Sequence, residues 1–325
     1  MKLFGYFETV KPLLVKQINK FFLQQKDFPN KQLLQSLQAF NLKGKLLRGM
    51  LVLLINKMEG GQINEKVLNV ATAMELAHSG LLIHDDIMDK DLFRRGFPTI
   101  HKSFGQSMAI CAGDWLFCKA IELIDDNELI KIMSVGVQQV MHGQILDVFF
   151  SETNNNPNQS TILDIYRKKT AFYSFSLPFK LGAMLQKASL KKLDILNSLG
   201  ENLGLIFQIK DDEMGIFGDE KATGKPTGSD IRENKKTLLR LLLFESSNTL
   251  EKKVLIKIFG NNNISVKEIN QVRNLIQKKG INEQISRKLL QFSDKANQII
   301  KILPYSKQNK NLLFDLLQYN MIRKK

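Results

Sequence analysis

Two cysteines, one tryptophan and seven prolines in 325 residues leave several classes of protein without their material. Cys111 and Cys118 lie in one helical-looking stretch, too few for a disulfide framework or a metal site of their own. They read as small core residues of a protein in a reducing cytoplasm. Long apolar runs are missing too. The best candidate, LLRGMLVLLIN, is too short to span a bilayer and carries Arg48. The opening MKLFGYFETVKPLLVKQINKFF is an amphipathic pattern broken by charges, so no secretory leader is expected. Period-two alternation between turn dipeptides is scarce, which leaves little material for sheets. No repeat and no Gly/Ser/Pro-rich linker divides the chain, so a single domain over 1–325 is expected.

Acidic residues are in deficit, with 32 Asp and Glu against 47 Lys and Arg, a formal charge of +15. Much of the excess is late: Glu251–Lys325 holds 16 basic and 5 acidic residues, a difference of +11. These lysines are scattered among Asn, Gln, Ile and Leu without a nucleic-acid signature. They read as solvated helix faces; no nucleic-acid partner is expected, and membrane contact is peripheral at most.

What the chain does contain is helix. A hydrophobic content of 43% suffices for a large core, and KQLLQSLQAF, LNVATAMELAHSGLLIH, MAICAGDWLFCKAIELI and SLGENLGLIFQIKDDEMGIF space their apolar residues by three and four. Loops are expected at 151–160, 218–230 and 260–263. The fold class is all-α.

Chemistry enters where two of these apolar segments end. LLIHDDIMDKDLFRRG places Asp85 and Asp89 four apart, hence on one helix face, with Asp86 between them and His78 two turns upstream. Carboxylates about 4 Å apart in a partly dehydrated site repel by roughly 4 kcal/mol at an effective dielectric near 20. A divalent cation removes that repulsion, and oxygen-only ligands favour Mg²⁺ sharing its shell with substrate phosphates. The second segment ends the same way, in Asp211 and Asp212, but its outer position is Gly215. One such cluster alone reads as a solvated helix end. Two of them, each tipping an apolar helix, read as walls of one metal-filled cavity.

Cations accompany the acids: Lys45 and Arg48 in LKGKLLRG, Arg94 and Arg95, Lys169 beside Thr170 in YRKKTAF, Lys225 in TGKPTG, and Lys235 and Lys236 in RENKKT. Arg and Lys are the usual phosphate binders, though each taken singly is more often a surface charge. GDEKATGK is not a P-loop, because five residues separate Gly218 from Gly224 and Pro226 stands where Ser or Thr should be. Metal clusters among cations imply a polyanionic substrate, and the apolar helices imply that its other end is greasy.

These motifs carry a family resemblance. LLIHDDIMDKDLFRRGFPTIH resembles the first aspartate-rich motif of the trans-isoprenyl diphosphate synthases, the polyprenyl synthetase family of chain-elongating prenyltransferases. GLIFQIKDDEMGIFGDEKATGKPTGSDIRENKKTLL resembles their second motif and its lysine loop, and CAGDWLF, HGQILD and YRKKTAFYSFSLPFKLGA fit in order between them. The resemblance implies one large helical bundle, the isoprenoid synthase fold, around a central apolar cavity. It implies condensation of isopentenyl diphosphate with dimethylallyl, geranyl or farnesyl diphosphate by ionisation, condensation and elimination. Farnesyl diphosphate synthase is the alternative within enzymes. A regulatory subunit of a heteromeric prenyltransferase is the alternative outside them, and terpene cyclases, which share the first motif, lack the isopentenyl-site lysines.

The same resemblance assigns residues. Asp85, Asp89 and Asp211, supported by Asp86 and Asp212, would hold three Mg²⁺, with Mn²⁺ able to substitute. Arg94, Lys169, Lys225 and Lys235 would bind the allylic diphosphate, and Lys45, Arg48, His78 and Arg95 that of isopentenyl diphosphate. Thr170, Gln208 and Gln144 would line the reacting carbons, with Asp147 in support. Chain length would be set upstream of Asp85 at Leu81, Gly80 and Ala77, with Met74 deeper. Gly80 would leave the path open for a C20 or longer product; the alternative for Gly80 is close helix packing. The basic tail MIRKK is expected to close over the site, and a homodimer is expected by analogy. The chain departs from the family's GGKRxRP, written here KGKLLRG, and from its second motif at Gly215.

Overall fold

The computed structural model describes residues 2–153, 155–218 and 227–323. Among them the only strands are a two-residue antiparallel pair, β1 (Phe93–Arg94) and β2 (Phe97–Pro98). Helix accounts for most of the rest, in agreement with the three-and-four spacing. The backbone divides into two compact units: Met1–Val137 with Ser174–Asn197 and Pro304–Leu312, and Gln138–Tyr173 with Ser198–Leu303 and Leu313–Lys325.

The first unit begins with α1 (Leu3–Leu23), α2 (Lys31–Leu42), α3 (Leu47–Met58) and α4 (Glu65–Met88). Asparagines start two of them: Asn30 accepts from Leu33 N at 3.0 Å for α2, and Asn64 from Val67 N at 3.0 Å for α4. These side chains satisfy amides that have no partner within the helix. Helix α4 is apolar on nearly every side, with Val67, Val70, Met74, Leu76, Ala77 and Ile83 buried, and such a helix is stable only inside a core. It packs against α1, α3 and α6 (Gln106–Glu122). The chain passes from α4 to α6 through the β1–β2 hairpin and α5 (Ile100–Phe104). Further on come the start of α7 (Asn127–Glu152) and α9 (Leu177–Met184), which packs on α3.

Two expectations bear on α6 and its neighbours. A Cβ on Gly80 would lie 2.9 Å from Gly113 O and 3.3 Å from the Phe117 ring, so Gly80 marks a close crossing of α4 and α6. The geometry fits the close-packing reading of this position. Cys111 and Cys118 are exposed rather than in the core, because one face of α6 is turned to solvent with Met108 and Ile110.

The second unit holds the rest of α7, α8 (Gln159–Ile165) and most of a π-helical stretch, Tyr166–Ser176. Wide turns of this kind are rare and recur at functional sites. It also holds most of α10 (Leu190–Phe217), then α11 (Ser229–Arg232), α12 (Leu238–Ser246), α13 (Thr249–Ile258), α14 (Val266–Lys278), α15 (Ile281–Ile302) and the end of α16 (Lys307–Ile322). Reciprocal capping boxes start α13 at Asn248 and Glu251 and α14 at Ser265 and Glu268. The late basic excess lies on solvated faces, as at Lys267, Lys278 and Arg287. No helix among the described residues is long and apolar enough to cross a membrane.

Because backbone cannot move aside as a flexible side chain can, Gly80→Phe is expected to destabilise the fold. A loss of about 1–3 kcal/mol or more in urea unfolding is anticipated, and an unchanged midpoint would contradict the close α4–α6 crossing.

Candidate active site

In the first unit α4 delivers its acids at its last turn. Asp89 N donates to Asp85 O at 2.8 Å, so the two residues stand one turn apart, and both side chains are half-buried. Asp86 faces inward, with 1% exposure. Arg94 Nε donates to Asp86 Oδ1 in a close ion pair, and Arg94 Nη2 reaches Asp91 Oδ2 at 3.3 Å. Asp86 Oδ2 is buried and has no hydrogen-bond partner among the described residues. Burial pushes the Asp86 carboxyl up to about 6, against the pull of Arg94. Arg94, expected on a substrate phosphate, is here committed to the aspartates that precede it.

The isopentenyl-site candidates gather in the same unit. Arg48 Nη1 lies 2.9 Å from His78 Nε2, and Arg48 Nη2 donates to Ser174 Oγ at 2.7 Å. Burial, reinforced by Arg48, Arg95 and Arg94, holds the His78 ring well below the usual imidazole range. A neutral imidazole accepts the Arg48 proton and fixes the guanidinium without competing for an anion. Lys45 is exposed in the turn before α3. Arg95 Nη1 donates to Phe40 O at 2.9 Å, and its guanidinium lies 5.3 Å from the Phe40 ring centre. A cavity of about 150 Å³ opens here, lined by Lys43, Arg94, Arg95 and Phe97 among others.

Lys43 and Glu75 were missed from the sequence. Lys43 stands in the first position of KGKLLRG, where a basic residue was the available signal. Glu75 is buried, and its Oε1 accepts Gly49 N at 2.7 Å near the start of α3. Burial raises its pKa, with Gly49, Arg48 and Arg95 opposing.

The second unit holds the other half of the candidates. Asp211 is half-buried, and Arg323 from the basic tail pairs with it, Nη1 to Oδ1 at 2.8 Å. The same guanidinium lies 3.7 Å over the Phe207 ring. Lys324 and Lys325 lie outside the described residues, as does Lys225. Lys169 Nζ meets Asp147 Oδ2 at 2.7 Å. Thr170 Oγ1 donates to Gln208 Oε1 at 2.6 Å, and Gln208 Nε2 donates to Asp212 Oδ1 at 2.8 Å. Gln144 is buried one turn before Asp147 on α7.

Tyr166 completes this network and carried no signal except its place in YRKKTAF. Its hydroxyl donates to Asp212 Oδ2 and accepts Leu238 N at 2.9 Å. Burial and the neighbouring Asp230 drive the Asp212 carboxyl well above the ordinary range, while Tyr166 and Gln208 oppose them. A cleft of about 70 Å³ is lined by Lys169, Thr170, Gln208, Asp212, Lys235 and others. Lys235 Nζ lies 3.0 Å from Glu233 Oε2 and 3.9 Å from Asp230 Oδ1.

Among the described residues no three His, Cys, Asp or Glu side chains form a ready-made metal centre. The donors still fit Mg²⁺. They are carboxylate oxygens, two of them one helical turn apart and half-buried, beside an orphaned Asp86 oxygen that lacks a proton donor.

All-helical architecture with aspartate-tipped inner helices defines a class, the isoprenoid synthases. Comparison narrows it. The sequence model of the polyprenyl synthetase family matches residues 30–276. Geranylgeranyl diphosphate synthase of Saccharolobus solfataricus is 34% identical over 89% of this chain and 90% of its own length. Geranylfarnesyl diphosphate synthase of Aeropyrum pernix is 31% identical over 89% and 93%. The crystal structure of geranylgeranyl pyrophosphate synthase from Corynebacterium glutamicum, complexed with isoprenyl diphosphate and magnesium, superposes with a TM-score of 0.88. Its identity is 26%, covering 99% of this chain and 100% of that one. The chain belongs to the polyprenyl synthetase family.

Tyr166→Phe leaves Leu238 N buried without an acceptor and Asp212 without its donor. A loss of about 1–3 kcal/mol in denaturant unfolding is expected; wild-type stability would show that the hydroxyl bridges nothing.

Proposed function

We propose that this protein is a trans-prenyltransferase that joins isopentenyl diphosphate head-to-tail to an allylic diphosphate, giving a prenyl diphosphate of C20 or longer. One observation carries the reading: a half-buried carboxylate pair, Asp85 and Asp89, one turn apart at the end of a helix that is otherwise core. The family membership and the relatives that make geranylgeranyl and geranylfarnesyl diphosphates support it.

Asp85, Asp89 and Asp211 are the proposed ligands of three Mg²⁺, with Asp86 and Asp212 in support and Mn²⁺ as a substitute. When bound, the metal supplies positive charge against the departing diphosphate. The chain's own cations work in the same direction. Lys169, Lys225 and Lys235 hold the allylic diphosphate, and Arg94 adds its charge while bracing Asp86. Because these charges stabilise a leaving diphosphate more than an intact ester, they lower the barrier to ionisation. Arg48, oriented by neutral His78 and Ser174, binds the diphosphate of isopentenyl diphosphate with Lys45 and Arg95. Thr170 and Gln208 present oxygens to the allylic carbon, locked in place by their own hydrogen bond. The homoallylic double bond attacks that carbon, forming the new C–C bond and a tertiary cation, which loses a proton from its neighbouring carbon to the released diphosphate and so regenerates a double bond. Buried Ala77 and Leu81 of α4 keep water from the growing chain.

The exposed apolar face of α6 with Met108 and Ile110 suits a homodimer. The whole chain acts as one catalytic domain, in the cytoplasm, with no nucleic acid and at most peripheral contact with membrane.

The test is turnover. Purified protein with Mg²⁺, isopentenyl diphosphate and dimethylallyl, geranyl or farnesyl diphosphate is expected to give products of C20 or longer after dephosphorylation, and none in EDTA. A C15 product identifies a farnesyl synthase, and no turnover with any starter points to a regulatory subunit. Asp85→Asn is expected to lower kcat/KM by about 10²–10³; unaltered kinetics would remove Asp85 from the site.

A further inference from the structure

Helix α3, which carries Arg48 in its first turn, starts on an unusual residue. Its N-cap, Leu46, is buried and left-handed at φ 56, and its apolar side chain caps nothing. A left-handed leucine is strained and persists only where its surroundings hold it. The first amides of a helix have no partner within the helix and must be met from elsewhere. Glu75 of α4 meets them. Its Oε1 accepts Gly49 N at 2.7 Å, and a further bond from the Arg48 amide favours the same carboxylate.

The approach is close. A Cβ on Gly49 would lie 2.9 Å from Ala71 O and 3.1 Å from Glu75 Cγ, so a residue without a side chain lets α3 meet this face of α4. Glu75 itself is 3% exposed. Burying a carboxyl is costly, and an apolar residue would fill a core position without that cost. Burial accordingly raises the Glu75 pKa, while the two amides and the charges of Arg48 and Arg95 oppose it. His78 follows Glu75 by three residues and shares its face of α4. Helix α4 therefore holds Arg48 at both ends: the amide through Glu75, and the guanidinium through His78 at 2.9 Å.

We infer that Glu75 is a positioning residue: it caps α3 from α4 and so sets the direction in which Arg48 meets the diphosphate of isopentenyl diphosphate. This rests on the function proposed above. Glu75 acts through Arg48 and touches neither substrate. Its removal should loosen one substrate site and spare the other, since Lys169 and Lys235, proposed for the allylic diphosphate, belong to the other unit.

The test is steady-state kinetics with each substrate varied in turn, beside urea unfolding. Glu75→Ala is expected to raise KM for isopentenyl diphosphate by about tenfold or more. The turnover number and KM for the allylic diphosphate should stay near wild type, the pattern of lost binding. Should Glu75→Ala not fold, Glu75→Asp keeps the charge but stops one methylene short of the α3 amides, and the same split is expected. Glu75→Gln keeps an acceptor for Gly49 N and should recover most of the lost affinity. Tyr305→Phe removes a hydrogen bond to Glu59 in the same unit and is the control for destabilisation alone, in which the KM values should not split. Wild-type KM for isopentenyl diphosphate in a folded Ala or Asp variant overturns the inference. So does a Gln variant as impaired as Ala, or a change of kcat and both KM values together. No turnover by the wild type overturns the proposed function as well, whereas a failure confined to the variants overturns the inference alone.

Discussion

Carboxylates at the inner ends of apolar helices are the constraint around which the rest of this structure is arranged. Helix α4 carries Asp85, Asp86 and Asp89 out of a core of Val, Met, Leu and Ala, and α10 carries Asp211 and Asp212 out of another. Neighbouring acids in such places repel by several kcal/mol, and burial adds a desolvation cost for any that stay charged. Each unit answers with its own counter-groups. Arg94 sits on Asp86, Arg323 on Asp211, and Tyr166 and Gln208 clamp Asp212. These partners make the buried acids of each unit compatible with a folded protein.

The counter-groups also divide the cations into kinds. Arg94 and Arg323 neutralise the protein's own acids. Arg48 is held by the imidazole of His78 and the hydroxyl of Ser174, and it lies close enough to Glu75 to favour ionisation of that carboxyl. Burial keeps His78 neutral, and the surrounding arginines reinforce the effect. In the second unit the chain Thr170–Gln208–Asp212–Tyr166–Leu238 N links the π-helical stretch, α10 and the start of α12 by hydrogen bonds. Preorganisation of this kind is what electrostatic catalysis requires, because nothing must reorient when charge develops.

Much of this was legible in sequence, and the reason is local. Helix makes residues three and four apart neighbours, so the pairing of Asp85 with Asp89 and the stacking of His78 on the same helix follow from position numbers. The network of Thr170 and Gln208 was anticipated only as a shared role, not as a hydrogen bond. Cys111 and Cys118 were misread because their stretch is apolar on average, and averages do not tell which face of α6 turns outward. Gly80 carried two readings in the sequence, and the approach of Gly113 O, a contact between helices, supports the packing one.

The sequence by itself determined the helical class, the two acid-tipped segments, the cations near them and the family. Each depends on composition, on spacing within one helix or on a run of consecutive residues. Tertiary structure alone decided which cation pairs with which acid, that Tyr166 bridges Asp212 and Leu238 N, that Glu75 accepts Gly49 N, and that Asp230 fills the space beside Gly215. Those contacts join residues distant along the chain, and their geometry comes from how helices pack. No periodicity along a single helix can encode it.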